Sequence, residues 1–101
     1  LNITAAFDID PLKINKSYSG IYCYPINKMA EVVKEKSISI GVILVPPDDA
    51  QDIAELMVLN GIQGILNFTS SVIKVDDKVF VEDVDFITAL EKLSYFCRCT
   101  E

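Results

Sequence analysis

Apolar residues fall in short blocks separated by polar punctuation. Residues 3–7 (Ile3, Thr4, Ala5, Ala6, Phe7) are continuously apolar or β-prone and stop at Asp8-Ile9-Asp10-Pro11, which predicts a short strand buried on both faces. "KINKSYSGIYCYPI" follows as a loop in which Gly20 permits a turn and residues 21–24 can form a short edge strand. In "INKMAEVVKEK", Ile26, Met29, Ala30 and Val33 recur at helical spacing opposite Lys28, Glu31, Lys34 and Glu35, predicting a helix laid on a sheet. "ISIGVILV", residues 38–45, is apolar on both faces and reads as a strand covered on both sides.

After Pro46-Pro47, "PDDAQDIAELMVLNG" carries the marks of a complete helix. Proline stands near the first helical position, Asp48 and Asp49 complement the dipole in the first turn, Ala50, Ile53, Ala54 and Met57 form the buried stripe, and Asn60-Gly61 closes it. "IQGILNF" is another strand, residues 69–78 a polar loop, "VFVEDVD" a further strand, and "FITALEKLSYFCR" a final helix. Strands alternating with helices imply right-handed βαβ crossovers and a parallel sheet, so the expected class is α/β with a Rossmann-like sheet and flanking helices.

The last helix is apolar around more of its circumference than one sheet face requires. Phe86, Leu90, Leu93 and Cys97 make one row, Ala89, Leu93 and Phe96 a second, and Ile87 widens the arc. Such a helix either lies in a groove of its own domain or meets another subunit.

Composition narrows the function. The 101 residues, half of them apolar, suffice for one core. Fifteen acidic residues against nine basic ones give a net charge of −6, which repels phosphate, so this chain offers no nucleic-acid surface of its own. No apolar run is long enough to span a membrane. Three cysteines, two of them at Cys97 and Cys99, make poor disulfide partners and fit a reducing cytoplasm. Histidine is absent, which excludes imidazole-dependent catalysis and a histidine-rich zinc site, and no nucleophile–base pair is visible.

In open parallel sheets, ligands bind outside the carboxyl ends of the strands. Here those ends carry Asp8 and Asp10, Val45 and Pro46, Asn67 through Ser70, and Asp83 through Asp85. A carboxylate closing such a strand can accept both hydroxyls of an adenosine ribose and repel a 2′-phosphate, and Asp8, at the strand's end, is better placed for this than Asp10. By itself, Asp-x-Asp-Pro equally starts a turn, and in isolation that is the commoner role. Asn67 can meet a ligand or hold its neighbouring loop, and Asp85 can cap the helix beginning at Phe86. Gly20, Gly41, Gly61 and Gly64 do not form Gly-x-Gly-x-x-Gly, so the strand, glycine loop and helix that would cradle a pyrophosphate are expected before Ile3, outside this chain.

"AAFDIDPLKI", "ILVPPDDAQDIAELMVLNGIQGILNF" and "VEDVDFITALEKLSYF" together resemble the C-terminal NAD(H)-binding domain of the Rex family of redox-sensing transcriptional repressors, over nearly the whole chain. The resemblance implies a non-enzymatic homodimer with an N-terminal winged-helix domain that binds operator DNA and a C-terminal helix exchanged between subunits. In that family NADH releases the operator and NAD+ permits binding. The division implied is a partial Rossmann domain over residues 1–85 and an exchanged helix over 86–101. By similarity Asp8 reads the adenine ribose, with Asp10 beside it. Val45 and Pro46 lie beside the cofactor, Asn67 and Phe68 near the nicotinamide side, and Asp85 and Phe86 reach the partner's cofactor. The sequence departs from the family at Thr69-Ser70, where Ala-Pro is usual, and at Asp83, where Asn is usual.

The alternative is the CoA-binding Rossmann domain of an acyl-CoA ligase, which shares the alternating pattern. An upstream winged helix and glycine loop would select the sensor, a downstream phosphohistidine domain the ligase. Without a first strand, residues 3–7 are expected to pair directly with residues 38–45 or to leave exposed edges.

Overall fold

The computed structural model describes residues 3–84 and 86–99, and for residues 86, 87, 98 and 99 the backbone alone. In chain order it contains β1 Ala6–Asp8, β2 Lys16–Tyr18, β3 Ile21–Pro25, a 3-10 turn Ile26–Lys28 entering α1 Met29–Lys36, β4 Ile40–Ile43, α2 Pro47–Leu59, β5 Gly64–Asn67, β6 Phe80–Asp83 and α3 Phe86–Cys99.

The strands form two three-stranded sheets, β1-β3-β2 and β4-β5-β6. β1 runs parallel to β3, with Phe7 opposite Tyr24 and Asp8 opposite Pro25, and β4, β5 and β6 are parallel throughout. The α/β class and parallel pairing agree with the sequence reading. β1 does not pair with β4, and among the described residues each keeps one unladdered edge. In the doubly wound order 3-2-1-4-5-6, β3 and β1 take the third and second places and β4, β5 and β6 the fourth to sixth, so the place of the first strand falls between β1 and β4.

Three local expectations need correction. Residues 21–24 are not an edge strand. β2 pairs antiparallel on the far side of β3, and Ser19 (φ 52°) with Gly20 (φ 82°) makes the two-residue turn between them. Two successive positive φ values match the right-handed strand twist, and Gly20 supplies the second at low cost. In α1 the buried face is Met29, Val32 and Val33, while Ala30 is exposed, because the helix lies on its larger side chains. β4 is covered on one face only: Ile43 is 1% exposed, but Ile40, Val42 and Leu44 are 61, 48 and 75% exposed, and Phe80 of β6, in the same cross-sheet row as Ile40 with Gly64 between them, is 83% exposed. The doubly apolar pattern of β4 describes a sheet with a layer on each side, and this chain supplies one of the two.

The covered face is packed by α1 and α2 into a core of Met29, Val33, Ile43, Ala50, Ala54, Met57, Ile62 and Ile65. Burying Ile43 and Ile65 contributes roughly 2 kcal/mol each. α2 begins with Pro47 at its first turn and carries Asp48 and Asp49 there, as the sequence indicated. Its end is a Schellman turn: Ile62 N–H donates to Met57 C=O (3.0 Å), Gly61 N–H to Val58 C=O (3.1 Å), and Gly61 takes φ 92°. A Cβ on Gly41 would lie 2.7 Å from Met57 Sδ, so the absence of a side chain is what lets α2 approach β4.

Residues 68–79 join β5 to the parallel β6 without a helix. Gln51 of α2 holds this crossover as a strand would, its Nε2 donating to Lys74 C=O (2.7 Å) and its Oε1 accepting from Lys74 N–H (2.8 Å). Ile73, Val75 and Val79 pack beneath it. α3 behaves differently from α1 and α2. Every described side chain from Thr88 to Cys97 is exposed, with Leu90, Leu93 and Phe96 at 48, 61 and 64%. The described part of its apolar rows, Leu90, Leu93 and Phe96, therefore does not lie in a groove of its own domain.

Candidate functional site

The expected site residues fall into two groups, one at the carboxyl end of each sheet. On the first, β1 ends at Asp8. Its Oδ1 accepts the N–H groups of Ile9 (2.7 Å) and Asp10 (3.0 Å), while Oδ2 has no partner among the described residues. The Asp10 N–H is the main reason the Asp8 carboxyl stays below its ordinary value near 3.8; Ile9 N–H and the charge of Lys13 add to it, and partial burial opposes it. Asp8 is thus ionised, locked in orientation through one oxygen, and open at the other. Asp10 has a different task. Its Oδ1 accepts Leu12 N–H (2.9 Å) and its C=O accepts Lys13 N–H (2.9 Å), so it caps the turn that follows.

On the second sheet, Phe68 N–H donates to Ile43 C=O (3.1 Å), bringing the ends of β4 and β5 together beside Val45 and Pro46. Val45 is partly buried against the core, and Pro46 is exposed at the N-terminus of α2. Asn67 is 1% exposed, the single buried polar side chain among the described residues. Its Nδ2 donates to Ser71 C=O (2.9 Å) and Asp83 Oδ1 (2.9 Å); its Oδ1 accepts Thr69 N–H (2.9 Å) and Thr69 Oγ1–H (2.7 Å). Burial of an amide is tolerated only with such pairing. The side chain of Asn67 thus builds the loop over residues 68–71, in which Phe68 is half-buried and Ser70 exposed.

Of the remaining expectations, Asp85 lies outside the described residues, and Phe86 opens α3 with its backbone alone described. No described contact joins the Asp8 group to the Asn67 group. The part played by Thr69, Ser71 and Asp83 was not singled out from the sequence. The available signal was the cluster Asn67-x-Thr69-x-Ser71, residue types that bond their own backbone two positions on. No group of three or more potential metal ligands occurs among the described residues. No helix there is long and apolar enough to cross a membrane.

A parallel strand closed by an ionised acid, helices alternating with parallel strands, and a loop hub at the carboxyl end of the second sheet define a Rossmann-like ligand-binding class. A family model described as the CoA binding domain matches residues 1–71, and the chain belongs to that family. Within it, this is a Rex-family chain. It is 43% identical over 93 residues to the redox-sensing transcriptional repressor Rex of Caldicellulosiruptor saccharolyticus, covering 92% of this chain and 42% of that protein. With Rex of Carboxydothermus hydrogenoformans the identity is 44% over 96 residues, covering 95 and 46%. The chain therefore spans a little under half the length of these curated relatives. Among solved structures, RSP, described as a Rex-family repressor, superposes with a TM-score of 0.84 at 29% identity, covering 95% of this chain and 46% of that one. RSP has also been solved with β-NAD+ and operator DNA (TM-score 0.82, covering 95 and 44%) and with β-NADH (0.83, covering 95 and 46%), both at 29% identity.

Proposed function

We propose that this chain is the dinucleotide-sensing part of a redox-responsive transcriptional repressor in which NADH binding releases operator DNA and NAD+ permits its binding. The observation that carries the reading is Asp8: an ionised carboxylate at the end of a parallel strand, with one oxygen held by backbone and the other open. Such a group suits the paired hydroxyls of an adenosine ribose. Similarity to Rex repressors, and to a Rex-family structure holding NADH, supports it.

In this reading Asp8 takes the ribose and Asp10 fixes the turn beneath it. Val45, Pro46 and Phe68 line the cofactor path, Asn67 shapes the loop at the nicotinamide side, and Asp85 and Phe86 reach the partner's cofactor. Residues 1–85 form the partial Rossmann unit and 86–101 the exchanged helix. The exposed rows of α3 are covered by a second subunit, giving a homodimer, and operator DNA is held by a winged-helix domain outside this chain. The protein works in the cytoplasm and turns over no substrate: ligand binding shifts a dimer equilibrium.

The pyrophosphate cradle is not among the four glycines of this chain, so the isolated 101 residues bind dinucleotide poorly. Micromolar NADH affinity in the isolated chain would refute that part. The function as a whole is tested by fluorescence anisotropy of labelled operator DNA on the full-length protein. NADH should displace the DNA where equal NAD+ does not; identical DNA affinity with either dinucleotide would sink the reading.

A further inference from the structure

We propose that the hydrogen bond from Asn67 to Asp83 is the joint that carries ligand occupancy at the residue 68–71 loop to the root of α3. The inference rests on the sensor reading above and names the element through which that sensor signals. Asn67 grips both sides of the junction. Towards the loop, its amide bonds Thr69 N–H, Thr69 Oγ1 and Ser71 C=O; towards the helix, Nδ2 bonds Asp83 Oδ1, and its own C=O accepts Val84 N–H at 2.9 Å. Val84 lies two residues before Phe86, where α3 begins.

Because the described side chains of α3, Thr88 to Cys97, are exposed, their packing within this chain does not set the helix's direction. That direction is set at its root. Nδ2 shares its two protons between the loop and Asp83, so rotating the amide to follow a displaced loop lengthens the bond to Asp83. Asp83 is exposed and holds none of the loop bonds, so its link is the one that can be cut while the loop stays built. A carbonyl-type acceptor at position 83 is what the joint requires; charge is not.

The test uses the full-length protein with Asp83→Ala and Asp83→Asn. NADH affinity is measured by calorimetry without DNA, and operator affinity by anisotropy with and without saturating NADH. Asp83→Ala should keep NADH affinity within about twofold while the factor by which NADH weakens DNA binding, typically about 5–150-fold for coupled sites, falls at least about fivefold. Asp83→Asn keeps the acceptor oxygen and should retain the wild-type factor. Asp83→Ala with an unchanged factor, or Asp83→Asn losing as much as Asp83→Ala, overturns the joint. A wild-type protein that binds no NADH overturns the sensor reading itself and this inference with it, an outcome visible before any variant is made.

Discussion

Replacing Asn67 by alanine removes four hydrogen bonds at a site that is 1% exposed. The cost follows from what each abandoned partner can do next. Asp83 is exposed, so water replaces Asn67 there at little cost. Thr69 and Ser71 are partly buried, and the Thr69 N–H and hydroxyl and the Ser71 C=O lose partners that water replaces less well. At about 0.5–1.5 kcal/mol per bond, those three contribute about 1.5–4.5 kcal/mol. The void left by the amide adds of the order of 1 kcal/mol, since rigid surroundings relax only in part. We expect Asn67→Ala to destabilise by about 2.5–5.5 kcal/mol, a large fraction of the roughly 5–15 kcal/mol that holds a domain of this size. Urea unfolding at fixed protein concentration measures it, with an unchanged slope indicating an unchanged fold. Native-state hydrogen exchange locates it: the amides of Thr69 and Ser71, bonded to Asn67 Oδ1 and Thr69 Oγ1, should lose protection while those of β4 keep theirs. A loss under about 1 kcal/mol with Thr69 still protected would mean that the loop is held by something other than this amide.

Other expectations can be checked in the same preparations. Gly41→Ala drives a Cβ to 2.7 Å from Met57 Sδ; the thioether end can yield, so the melt should show about 1–2 kcal/mol of destabilisation, and Gly41→Val more. Gly61→Ala forces a side chain to φ 92° in the turn after α2 and should cost about 1 kcal/mol by urea titration, with no effect on ligand affinity. Asp8→Asn should weaken NADH binding in calorimetry at least about tenfold, the loss expected for a charge-assisted hydrogen bond. The same variant has a pH signature. The folded carboxyl titrates below its unfolded value, so its stabilising effect is present above about pH 4 and is lost as pH falls through the depressed value. Acid unfolding of Asp8→Asn should therefore lack that part of the wild-type pH dependence. Leu93→Glu, at a residue 61% exposed within the chain, should leave domain folding intact and convert dimer to monomer in sedimentation.

The sequence disclosed those parts of the molecule whose cause is local. α2 was legible from end to end because its proline, its first-turn aspartates and its Asn60-Gly61 exit each act within one turn of the residue itself. The end of β1 at Asp8 was legible because the apolar run stops there. The β2–β3 hairpin was not, because Lys16-Ser17-Tyr18 is short and polar and makes a strand only against its neighbour. β4 misled in an instructive way. Its apolar residues at 40, 42 and 44 record what a full sheet buries, while the chain covers only the face carrying Ile43. At the candidate site, Gln51 sat on the polar side of a helix and Asp83 at an acidic strand end, where solvent is the default reading. Only the fold shows that one holds the crossover at Lys74 and the other meets Asn67 from sixteen positions away.

The claim on which the rest depends is that the carboxyl end of β1 receives the ribose of NADH. Calorimetric titration of the full-length protein with NADH, repeated with Asp8→Asn and with coenzyme A as the titrant, puts it to the question. We predict saturable NADH binding that weakens at least about tenfold in Asp8→Asn, with no heat from coenzyme A. No NADH binding by the wild type, or equal affinity in the variant, would contradict it, and saturable coenzyme A binding would move the chain to the ligase-type reading.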